Sequence, residues 1–110
     1  MRTAEAVKAL SALAQDTRLA IYRLLVQQGP AGLPAGTIAE RLDVPAATLS
    51  FHLKELTHAG LIGPRQDGRF VFYSASYEQM NDLLGYLSEN CCQGESASCA
   101  PRRELRRKPA

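Results

Sequence analysis

The chain has 110 residues, 45% of them hydrophobic and 22% charged, with a formal net charge of +2. That suffices for one domain with one modest core, and it is an ordinary globular composition. No apolar run is long enough to span a bilayer, and "MRTAEAVKAL" lacks the apolar region of a secretory signal, so the expected setting is the cytoplasm, with no membrane partner.

In chain order, Val7, Leu10 and Leu13, with alanines between them, predict a first helix ending near Ala14. Asp16 is placed to cap a second helix, "TRLAIYRLLVQQ", in which Leu19, Tyr22, Leu25 and Val26 recur at helical spacing. Gly29 and Pro30 stop it. "AGLPAG" reads as a loop with a short strand at Leu33. Thr37 opens a short third helix with Glu40 at capping-box spacing, and the helix ends near Leu42. After the tight turn "DVP" a fourth helix follows, "AATLSFHLKELTHA", with Gly60 at its C-terminal stop. "LIGPRQDGRFVFY" predicts two short strands around an Asp67-Gly68 turn. Ser76 with Gln79 makes a second capping box, and a last helix runs from about Tyr77 towards Asn90.

Beyond it lies "NCCQGESASCAPRRELRRK", a Ser- and Gly-rich stretch that holds all three cysteines, Cys91, Cys92 and Cys99. An odd cysteine count in a reducing compartment argues against a disulfide framework and leaves metal binding or redox chemistry. The final basic run makes the tail about +4 and leaves residues 1–100 at about −2. Net charge alone therefore does not announce a nucleic-acid binder, and basic tails are commonly solvated.

Helix three, a turn, helix four and a hairpin make a winged helix-turn-helix, mainly α with a small β-hairpin, in which the second helix enters the major groove. At roughly 100° per residue, Leu49, Leu53 and Leu56 fall on one side of that helix and anchor it. Small residues at its start, Ala46, Ala47 and Thr48, let the backbone approach the groove, and the open face continues through Ser50, Phe51, Lys54 and His58. Ser50 suits a base or a phosphate, and Lys54 suits a phosphate. The Phe51 ring either meets a thymine methyl group or packs against a neighbouring helix. His52, at the edge of the buried face, is either a further DNA contact or a structural histidine. Arg65 and Arg69 flank the hairpin tip, where a wing grips phosphates beside the minor groove; the alternative is a solvated hairpin.

"LSFHLKELTHAGLI", the wing "RQDGRFVFYS" and "DTRLAIYRLL" together resemble the ArsR/SmtB family of metal-sensing transcriptional repressors, over about Val7 to Cys99. The resemblance implies a homodimer packed through the first and last helices. It binds a palindromic double-stranded operator and leaves it when a metal ion binds. The namesake arsenic sensors carry cysteines on the helix leading into the reader, but "AGTIAERLDVP" has none. The family's zinc sensors use His and carboxylates along the last helix, but "YEQMNDLLGYLSEN" has no His. "NCCQGESASC" is similar instead to an arsenic-sensing subgroup with a Cys-Cys pair and one further Cys past the last helix, which implies control of an arsenic-resistance operon.

The donor chemistry agrees. Thiolates select soft ions and exclude magnesium or calcium, and structural zinc wants four ligands. Trivalent arsenic or antimony carries a lone pair and takes three thiolates as a pyramid, so arsenite or antimonite is the expected inducer. Cadmium and lead fit less well, and thiol oxidation or idle tail thiols stay open. Adjacent cysteines on a regular helix point about 100° apart, so the helix must end or fray at Asn90 to Cys92. Residues 1–90 then form the DNA-binding and dimerisation domain, and 91–110 a thiol segment with a basic tail. On the last helix Met80, Leu83, Leu84 and Leu87 form an apolar stripe that Cys91 continues. It is the expected dimer contact together with Val7 and Leu10, or else intrachain core. No strand-loop-helix surrounds the cysteines to cradle an oxyanion, so an enzyme is not expected.

Overall fold

The computed structural model describes residues 1–94, and Cys99 with the basic tail lies outside them. Five helices and a three-stranded sheet follow in the order α1 (Thr3–Leu13), α2 (Asp16–Gln28), β1 (Leu33–Pro34), α3 (Ala35–Leu42), α4 (Ala46–His58), β2 (Ile62–Asp67), β3 (Phe70–Ala75) and α5 (Tyr77–Leu87). Among the described residues a 3-10 turn, Cys91–Gly94, comes last. The sheet is antiparallel in the order β1-β3-β2, so the expected hairpin is joined along β3 by Leu33 and Pro34.

Helix α1 buries its small residues, Ala6, Ala9 and Ala12, and turns Val7 and Leu10 outward. Alanine on the inner face lets α1 lie close on its neighbours α2, α4 and α5. The core beneath is built from Ile21, Leu25, Ile38, Leu49, Leu56 and Leu61, all fully buried.

Several local expectations shift. Gln15, rather than Asp16, caps α2: its side chain accepts from the Arg18 N–H at 2.9 Å. The Thr37–Glu40 box does not form, because Pro34 is already the extended N-cap residue and the helix begins at Ala35, leaving Thr37 inside it. Pairing of Asp67 with Phe70 makes Gly68 and Arg69 the two-residue loop, one position later than expected. Gly68, at φ +65°, supplies the positive φ that such a loop requires at its first position. Ser76 caps α5 by accepting from the Gln79 N–H, but the Gln79 amide does not return the bond. It donates to the Ala59 carbonyl at 3.3 Å and so ties the start of α5 to the end of α4.

Two helix ends define the reader module. Asp43, at φ +54°, closes α3 with Val44 N–H donating to Ala39 O at 3.0 Å. Gly60, at φ +78°, closes α4 with Leu61 N–H donating to Leu56 O at 3.1 Å. Both are six-residue Schellman closures, which satisfy orphan carbonyls while reversing the chain. They set the α3–α4 corner and the exit into the wing.

Candidate nucleic-acid interface and thiol segment

Helix α4 stands with Leu49, Leu53 and Leu56 buried and Ala46, Ala47, Thr48, Ser50, Phe51, Lys54 and His58 exposed. The apolar anchors thus decide which face of the helix turns inward, and the polar face is left to solvent. Phe51 is 55% exposed, so it does not pack against a neighbouring helix. His52 departs from the expected set: at 7% exposure it faces the interior and cannot meet a base edge. Its Nδ1 lies 3.3 Å from Arg18 Nη1, and its ring meets Phe51 edge-on at 5.6 Å. Burial first, then the Arg18 charge, holds the His52 pKa below its ordinary value, against a smaller opposing pull from Glu55.

An open groove of about 560 Å³ separates α4 from the wing, lined by Ser50, Phe51, Lys54, His58, Pro64 and Tyr73 among others. Arg69 is exposed in the hairpin loop itself. Arg65 is held at the root of the wing: it donates to the Ala31 carbonyl at 2.8 Å, lies 5.0 Å over the Phe72 ring and pairs with Asp67 at 3.6 Å. It braces the wing on the loop before β1 and still leaves half of its side chain in solvent. The first turn of α4 has no side-chain cap. Its first amides are therefore orphan donors at the N-terminal end of the helix, where Ala46, Ala47 and Thr48 lie.

Away from α4 in sequence, Val7 and Leu10 of α1 and Leu84 and Leu87 of α5 are exposed, with Met80 half-buried. Leu83 is a correction: it is 6% exposed and belongs to this chain's own core, because α5 turns that position inward. Thr3 Oγ1 and Tyr86 OH, 2.6 Å apart, pin the start of α1 to the end of α5.

Helix α5 ends at Leu87, earlier than expected. The Ser88 N–H still makes the helical bond to the Leu84 carbonyl at 3.1 Å, joined there by the Ser88 hydroxyl at 2.8 Å. The Glu89 N–H instead turns to the Tyr86 carbonyl at 3.3 Å, three residues back, and the α-helical ladder stops. Asn90 and Cys92 then take left-handed φ, +58° and +53°. Cys91 therefore does not continue the apolar stripe. Cys91 and Cys92 are both exposed in the 3-10 turn, off the regular helix whose 100° stagger would separate them. Among the described residues no group of three His, Cys, Asp or Glu side chains is placed to hold a metal ion, and Cys99, the third expected ligand, lies outside those residues.

Sequence reasoning missed Arg18, whose partners are an α1 carbonyl and an α4 imidazole. No local pattern signals so long-range a contact. Leu19, at helical spacing with the buried Tyr22 and Leu25, is itself exposed.

Comparison with known proteins places this arrangement. A helix-turn-helix domain family matches residues 13–63. The chain is 32% identical to the transcriptional activator HlyU of Vibrio cholerae, over 83% of this chain and 82% of that protein. It is 35% identical to the arsenical resistance operon repressor of Bacillus subtilis, over 80% of this chain and 84% of that one. Among solved structures it resembles an ArsR-like transcriptional regulator from Rhodococcus sp. RHA1, with a TM-score of 0.73 at 28% identity, covering 83% of each chain. No described helix is long and apolar enough to cross a membrane.

Proposed function

The chain belongs to the ArsR/SmtB family of winged helix-turn-helix transcriptional regulators, and from that premise we propose a homodimeric, cytoplasmic repressor of an arsenic-resistance operon. It binds its operator without metal and leaves it when trivalent arsenic or antimony is captured by Cys91, Cys92 and Cys99. It works by binding alone and turns over no substrate. The observation that carries this reading is the pair of exposed thiols, Cys91 and Cys92, in a 3-10 turn that starts four residues past the end of α5. That helix carries the outward Leu84 and Leu87. Vicinal thiols off a regular helix suit a pyramidal, thiophilic ion, and hard cations do not compete for them.

The dimer uses Val7 and Leu10 with Leu84 and Leu87. Capture of the ion just beyond α5 changes the packing of these helices. The two α4 readers then no longer match successive major grooves about 34 Å apart. Coupling of this kind is reciprocal, so operator DNA weakens ion binding by the same factor, typically about 1–3 kcal/mol.

Fluorescence anisotropy on a labelled operator tests the reading, titrating arsenite, antimonite, cadmium, zinc and a mild oxidant against wild type and single Cys-to-Ser variants. Release by arsenite in wild type, lost in Cys91→Ser, Cys92→Ser and Cys99→Ser, is the expected result. Release by zinc but not arsenite refutes the ion assignment. The exposure of the adjacent thiols also suits a second reading, repression lifted by thiol oxidation. Release by the oxidant with no arsenite response selects it.

A further inference from the structure

Arg18 sits in the first turn of α2, where three elements converge. Its Nε donates at 2.7 Å to the carbonyl of Ala12, in the last turn of α1. Carbonyls there have no partner within their own helix. Its Nη1 reaches the Nδ1 of His52 on α4 at 3.3 Å. A guanidinium only donates, so the imidazole nitrogen facing it is the unprotonated one and the ring carries its proton on Nε2. The His52 ring in turn meets Phe51 edge-on, and Phe51 is the bulky group on the open face of the reader. One polar path therefore runs from α1, through α2, to the surface that faces DNA.

Apolar burial of Leu49, Leu53 and Leu56 is non-directional. It fixes which face of α4 points inward but only loosely fixes the roll about the helix axis. A hydrogen bond is directional, and one placed between the anchors pins that roll. Recognition needs side chains held to within about 10–20°.

We propose that Arg18 and His52 are positioning residues of the reader: their bridge locks the rotation of α4 against α1 and sets where Ser50 and Phe51 meet the bases. The proposal rests on α4 reading DNA, and it gives α1, which carries the outward Val7 and Leu10, a direct handle on the reader. Neither residue touches DNA. Their loss therefore erodes discrimination between sequences and leaves general phosphate binding by Lys54 and Arg69 intact.

The test uses the full-length protein, a fluorescein-labelled duplex selected by the wild type from a random library, and a scrambled duplex of equal length. Arg18→Gln and His52→Leu are expected to lower the selected-to-scrambled affinity ratio about tenfold, with the double variant no worse than either single one. His52→Asn keeps an oxygen acceptor near the Nδ1 position and restores most of the ratio. Scrambled-duplex affinity stays constant, and thermal unfolding run alongside confirms that each variant compared is folded. Independently of any variant, ¹⁵N shifts of the wild-type imidazole are expected to show the proton on Nε2 at neutral pH. An unchanged ratio in folded Arg18→Gln and His52→Leu, or a ring protonated on Nδ1, overturns the proposal. A wild type that selects no duplex at all sinks the DNA reading and this bridge with it.

Discussion

Replacing Phe51 with alanine separates a DNA contact from a structural role. A phenylalanine presents on the order of 200 Å², and with 55% of Phe51 uncovered about 110 Å² is free to be buried against a groove. At about 25 cal/mol per Å² this is at most about 2.8 kcal/mol of binding free energy. That corresponds to at most about a hundredfold in affinity, and ordering and desolvation costs bring the expected loss nearer tenfold. The residue is mostly uncovered and its ring meets His52 edge-on, so folding stability falls by only about 1 kcal/mol. Anisotropy on the selected duplex and urea unfolding of the same sample read the two quantities side by side. Unchanged affinity for the selected duplex refutes the contact. A loss of several kcal/mol in stability shows instead that the ring belongs to the core.

Gly32→Ala is expected to destabilise the fold by about 2 kcal/mol or more, measured by urea unfolding, because a left-handed backbone at φ +73° costs a side-chain-bearing residue about 1–2 kcal/mol. Its Cβ would also sit 2.4 Å from the Tyr73 carbonyl oxygen. Gly29→Ala, at φ +99° with open space around it, costs only the conformational part. Arg69→Ala weakens selected and scrambled duplexes alike and reduces the slope of log affinity against log salt by about 1. His52 is neutral in the fold with its pKa held below the ordinary 6.5, so the unfolded chain binds the proton first as pH falls. Its contribution to stability is therefore complete above about pH 6.5 and is lost as pH drops through the folded value. Urea midpoints measured from pH 7.5 downward fall more steeply in wild type than in His52→Asn, and equal slopes contradict the assignment.

What was legible in the sequence is what neighbours within four residues decide. The apolar phase of Leu49, Leu53 and Leu56 fixed the inner face of the reader helix, Gly60 its end and Gly68 the site of the reversal. The winged helix-turn-helix followed from those signals in order. Choices between locally equivalent options went to long-range contacts. Thr37 kept a sound capping pattern, but pairing of Leu33 and Pro34 with β3 carried the extended chain straight into a helix that begins two residues earlier. Leu83 and Leu84 are chemically alike. Only the packing of α5 against the body of the fold buried the first and exposed the second. Arg18 and His52 lie thirty-four positions apart and carry no shared pattern. Local sequence set the elements and their apolar faces, because propensity and periodicity act over a few residues. Tertiary structure chose which caps close, which leucines face outward and which polar groups meet, because each choice depends on a partner the chain reaches only after folding.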